Sequence, residues 1–160
     1  MIPSNRPFWR VVKPDTAPAA GDEFTLRANK GGGWLVKSLR FVLEASAAVA
    51  DRTAALEVTD GDQVLVTFAA HETIAATESG IYQAFPGIGE YAANAALISV
   101  AWPHGGLWLP QGYALRSVTF NMDVADQYSE IVARVVEYPS GSERELFPFG
   151  PATALPSELT

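Results

Sequence analysis

"RTAALEVTDGDQVLVTF", residues 52–68, decides the fold. Apolar residues recur at every second position on both sides of Asp60-Gly61, the spacing at which alternate side chains of an extended chain reach one face of a sheet. Asp-Gly tolerates the positive φ of a tight turn, so the stretch reads as strand, turn, strand. Leu56 and Val58 share a face, as do Val64, Val66 and Phe68.

The same period continues outward. "WLVKSLRFVLE" (34–44) places Leu35, Leu39, Phe41 and Leu43 on one face, with Lys37 interrupting the stripe, and Ser38, Arg40 and Glu44 on the other. "ALISVAW" (96–102) and "YALRSVTFNM" (113–122) follow. In "EIVARVVEY" (130–138), Ile131, Ala133 and Val135 oppose Val132, Arg134 and Val136, so this strand is apolar on both faces in places. Helix signals are weak: the Ala-rich "EASAAVADR" (44–52) is too short to hold without tertiary support, and "GEYAANAAL" (89–97) has room for a turn or two. The expectation is an all-β protein, an antiparallel β-sandwich or jelly roll of about seven to eight strands with Gly/Pro loops.

The ends differ from the middle. Residues 1–22 carry Pro3, Pro7, Pro14 and Pro18, which disfavour helix and central strand, and read as an extended N-terminal arm holding Phe8 and Trp9. Residues 139–160 repeat the theme, with Pro139, Pro148, Pro151 and Pro156 around Phe147 and Phe149, and read as a docked C-terminal tail. Large aromatics in such segments need burial, against their own domain (23–138) or a neighbouring subunit. Phe8, Trp9, Phe147 and Phe149 are therefore candidate protein-interface residues.

At 160 residues, 48% apolar and 18% charged, the chain suits one globular domain. A net charge of −7 opposes a polyanion, which argues against nucleic acid as a partner. There is no cysteine, hence no disulfide framework or thiolate zinc site. Prolines and arginines in "MIPSNRPFWRVV" stand where a signal peptide has its apolar core, and no apolar run reaches membrane-span length. A soluble protein made in a cytoplasm, with no membrane partner, is expected.

Chemistry-bearing motifs are few. Asp123, Asp126 and Glu130 in "DVADQYSEIV" offer paired carboxylates of the kind glycoside hydrolysis uses, yet an Asx turn before a strand needs the same residues. The turn reading is preferred, with Asp123 and Glu130 as solvent-facing charges. His71 and His104 are isolated in sequence and read as loop histidines rather than metal ligands. "KGGGW" (30–34) lacks the ending of a phosphate loop and precedes a strand, and no GxSxG is present. No cofactor is implied. "WPHGGLWLPQGY" (102–113) is the least ordinary loop: Trp102, Trp108 and Tyr113 are a candidate surface aromatic platform for a sugar, set against capping of the sandwich core or a subunit contact.

Residues 31–68 and 107–138 together resemble small β-sandwich proteins encoded among the virion genes of tailed bacteriophages. The Asp51-Arg52 step, the Asp60-Gly61 hairpin, the Leu109-Pro110-Gln111-Gly112 turn and the Asp126-Gln127-Tyr128-Ser129 turn carry that resemblance. It implies a non-enzymatic structural component located in the virion, foremost a capsid decoration or cement protein that binds the major capsid protein or other virion proteins as a homo-oligomer. A head-to-tail or tail protein is the structural alternative, and a glycan-binding module the alternative of another class.

Overall fold

The computed structural model describes residues 6–28, 32–86 and 97–140. These residues form strands and loops with no helix. Ten strands are present: β1 (Phe8–Val12), β2 (Thr25–Arg27), β3 (Gly32–Glu44), β4 (Thr53–Thr59), β5 (Val64–Ala69), β6 (Ser79–Ala84), β7 (Leu97–Ser99), β8 (Leu107–Leu109), β9 (Ala114–Phe120) and β10 (Gln127–Pro139). A six-stranded sheet runs β1-β10-β3-β6-β7, with β8 also paired to β3, and faces a four-stranded sheet ordered β2-β9-β4-β5.

Two expectations are corrected. There are ten strands rather than seven or eight, because β2, β7 and β8 span three residues each, too few to show a period. The six-stranded sheet is mixed rather than antiparallel, since β6 and β7 run parallel. Neither helix candidate adds one: residues 45–52 form bends and a bridge, while 87–96 lie outside the described residues.

β3 and β10 form the spine, paired from Gln127↔Glu44 to Pro139↔Gly32. Their ladder shifts register twice. Val36 opposes Val135 and Ser38 opposes Arg134, so Lys37 is the extra residue of a bulge on β3. Trp34 and Val36 are buried before it, and Leu39, Phe41 and Leu43 after it. The bulge changes phase and puts Leu35 on the outer face, which corrects its expected place beside Leu39. On β10 the extra residue falls between Ser129 and Val132, where Glu130 takes φ +49°.

The hairpin of β4 and β5 is as read. Leu56 and Val58 are buried, Gly61 takes φ +111°, and Asp60 Oδ1 accepts from the amides of Asp62 and Gln63, both at 2.9 Å. A bulge at Leu65 places Val64 opposite Thr59, off the face of Val66 and Phe68. Between the sheets Phe41 stacks on Tyr82 (centroids 4.8 Å apart) and tilts against Phe24 and Tyr128 at 5.2 and 5.6 Å. Burial pushes the Tyr82 and Tyr128 hydroxyls up, so both rings stay neutral, and Tyr128 shares a hydrogen bond with the Thr119 hydroxyl.

Candidate functional site

The carboxylate cluster is a structural knot. Asp126 and Arg52 are both fully buried. Arg52 Nε donates to Asp126 Oδ2 at 3.0 Å and its Nη2 to Oδ1 at 3.1 Å. The amides of Ser46 and Asp123 donate to the same carboxylate at 2.7 and 2.8 Å. Arg52 also reaches the carbonyls of Ala48 and Ala50, so one ion pair ties the loop after β3 to the turn before β10. Four donors leave Asp126 no free position from which to move a proton. Asp123 Oδ1 accepts from the Ser46 hydroxyl at 3.0 Å and the Ala125 amide, so it is half-buried rather than solvent-facing. Glu130 is exposed and pairs with Arg40.

Burial works to raise the Asp126 carboxyl, but the bonds from Arg52, Asp123 and Ser46 outweigh it and hold the group down to about 2. Its contribution is therefore complete above the ordinary carboxylate range near 4 and is lost as pH falls through about 2. Urea unfolding should show a loss of about 2 kcal/mol from this group as pH falls from 5 towards 2. Asp126→Asn should lack that component.

The aromatic loop does not make a platform. Trp102 is 9% exposed, packs on Phe68 with centroids 5.6 Å apart, and donates its indole N–H to the Val36 carbonyl at 3.2 Å, between the sheets. Trp108 lies on the opposite face of the six-stranded sheet: its strand partner is Leu35, and its ring meets Tyr138 edge-on at 5.5 Å. Tyr113 is half-buried against the core. The three therefore share no surface, because adjacent residues of a short strand and its flanking loop point to different sides of the sheet.

His71 Nδ1 lies 2.8 Å from the Ser99 carbonyl, and His104 occupies an exposed turn. Among the described residues no three His, Asp or Glu side chains gather closely enough to hold a metal ion, and no helix is long and apolar enough to cross a membrane.

Among the described residues, two strands expose three large apolar side chains each: β5, through Val64, Leu65 and Val66, and β1. Residues 8–12 of the arm are not a free extension but an edge strand, with Trp9 opposite Val136 and Val11 opposite Arg134. Pro7 and Pro14 bracket it without entering it. Val12 turns into the core at 9% exposure, whereas Phe8, Trp9 and Val11 remain 48%, 67% and 59% exposed. Two clefts border the strand. The inner one, about 470 Å³, opens between β1 and β2 and is lined by Arg10, Val12, Lys13, Phe24, Leu26 and Trp34 among others. The outer one, about 440 Å³, is lined by Trp9, Arg10, Val11 and Arg134. A further cleft of about 330 Å³ continues from Arg134 to Arg40, Val132 and Phe85.

No protein-family model matches the chain, and a search of curated proteins finds no match.

Phe8 and Trp9 are thus brought to one edge, while Phe147 and Phe149 lie outside the described residues. Val11, Arg134 and Phe85 belong to the same surface and were not singled out in the sequence. Val132, Arg134 and Val136 on the second face of β10 were the available signal.

Proposed function

We propose that the chain is a non-enzymatic structural subunit of a tailed-phage virion, foremost a capsid decoration or cement protein, that grips neighbouring subunits along the β1 edge. One observation carries the reading: an unpaired edge strand exposes two aromatics and a valine beside two clefts. An exposed apolar edge is a template for pairing with another chain, and proteins that remain alone blunt it with charged side chains, Pro or a bulge. β1 has no Pro and no bulge along Phe8–Val12, and its one charge, Arg10, is taken up by Glu137 of the neighbouring strand. Aromatic anchors at such an edge supply most of an interface's energy, and repetition over a symmetric shell adds avidity.

Particles assembled from the genome that encodes the chain, banded in caesium chloride, should contain it at a fixed number of copies by quantitative mass spectrometry. Trp9→Ser with Val11→Ser should keep the sheet, because both side chains are more than half exposed, and should lower occupancy at least tenfold. Absence of the chain from banded particles would end this reading.

A further inference from the structure

The two clefts flank β1 on opposite faces of its sheet. A strand laid along the free edge sends alternate side chains to opposite faces, one set into the inner cleft and the other onto Trp9, Val11 and Arg134. The clefts also specify chemistry. Lys13, Arg27 and Arg134 have no ion-pair partner among the described residues; Arg27 donates only to the Gly112 carbonyl. Of the two carboxylates lining the inner cleft, Glu23 is held by the Ser117 hydroxyl and the Thr119 amide, and only Asp15 faces them uncommitted. At the cleft wall the indole N–H of Trp34 is buried with no acceptor among the described residues. The edge thus suits an extended segment bearing carboxylates, apolar side chains and backbone carbonyls. Of the other sheet edges, β2 and β7 span three residues each, and β5, although Val64, Leu65 and Val66 are exposed on it, has a bulge at Leu65 and lines none of the clefts described.

We infer that the occupant is the C-terminal segment of a second copy of this chain, received by strand addition along β1. This rests on the reading of the chain as an assembly subunit and names its first partner. In "GSERELFPFG" (141–150), beyond β10, alternation sends Glu143, Glu145, Phe147 and Phe149 to one face, for Arg134, Trp9 and Val11, and Arg144, Leu146 and Pro148 to the other, for the inner cleft and its uncommitted Asp15. Over residues 141–160 there are three glutamates to one arginine. Twenty residues reach about 65 Å when extended, further than either long strand of the sandwich. Each segment departs beside the strand its counterpart fills, since Glu137 near the end of β10 pairs with Phe8 at the start of β1. Reciprocal exchange therefore closes a two-fold pair.

The test uses the full chain. Light scattering after size exclusion at micromolar concentration should give the mass of two copies. The edge variant (Trp9→Ser, Val11→Ser) and the tail variant (Phe147→Ser, Phe149→Ser) should each elute as one copy with an unchanged far-ultraviolet spectrum. Mixed in equal amounts they should regain a two-copy species, because each supplies what the other lacks. Arg134→Glu should weaken the wild-type pair at least tenfold. If either double variant misfolds, excess synthetic peptide of residues 141–155 should dissociate the wild-type pair instead. A wild type of single mass, a tail variant that stays paired, or a mixture that stays single would each overturn the inference. Those results leave the particle measurement untouched, so a chain that bands with particles without exchanging tails sinks this proposal alone.

Discussion

Asp126→Ala should destabilise the fold by about 3–5 kcal/mol in urea unfolding at pH 7, because it strands a buried arginine without its counter-ion. Arg52 is fully buried with Asp126, and its guanidinium is oriented by both carboxylate oxygens and by the carbonyls of Ala48 and Ala50. The variant removes the two charge-assisted acceptors and also frees the amides of Ser46 and Asp123. Arg52→Met should fall in the same range, since it leaves the carboxylate buried beside only backbone donors. The double variant Arg52→Met, Asp126→Leu removes both charges at once, so it should be less destabilised than the sum of the singles by about 2 kcal/mol or more. Strict additivity would show that the ion pair is incidental to the junction.

That junction marks where sequence reading stops. The turn at Asp123–Asp126 was legible because Asx turns are local chemistry. Its partner Arg52 lies 74 residues away, and no local rule pairs residues across that interval. The hairpin at Asp60-Gly61 and the inward face of Ile131, Ala133 and Val135 were legible for the complementary reason: period and turn chemistry both act over a few residues. The aromatics followed the same division. Phe8 and Trp9 could be flagged as needing a partner, but that Trp9 and Val11 sit beside Val136 and Arg134 depends on the β1–β10 register. Trp102 and Trp108, six positions apart, were separated onto two faces by strand β8 and the loop before it.

Trp34 and Lys37 carry the second large expectation. Trp34→Ala should cost about 3–5 kcal/mol in urea unfolding, whereas deleting Lys37 outright should cost no more than about 1–2 kcal/mol. Trp34 and Val36 are buried on the same face as Leu39, Phe41 and Leu43, although Val36 and Leu39 are an odd number of positions apart. The ladder reconciles the two because Val36↔Val135 and Ser38↔Arg134 leave Lys37 as the extra residue between them. Removing it joins Val36 to Ser38 in an ordinary ladder, in which both keep their partners and their faces. The β8 pairing, Trp34↔Leu109 to Val36↔Leu107, keeps its register as well. What goes is the local bend of the bulge and the contact of the Lys37 ammonium with the Gly105 carbonyl at an exposed position. The charged residue that interrupts the apolar stripe in the sequence is therefore set aside by the ladder, while the indole three positions before it fills the core. A Lys37 deletion that loses as much stability as Trp34→Ala would show that the bend itself, and not the pairing alone, seats β3 on β10.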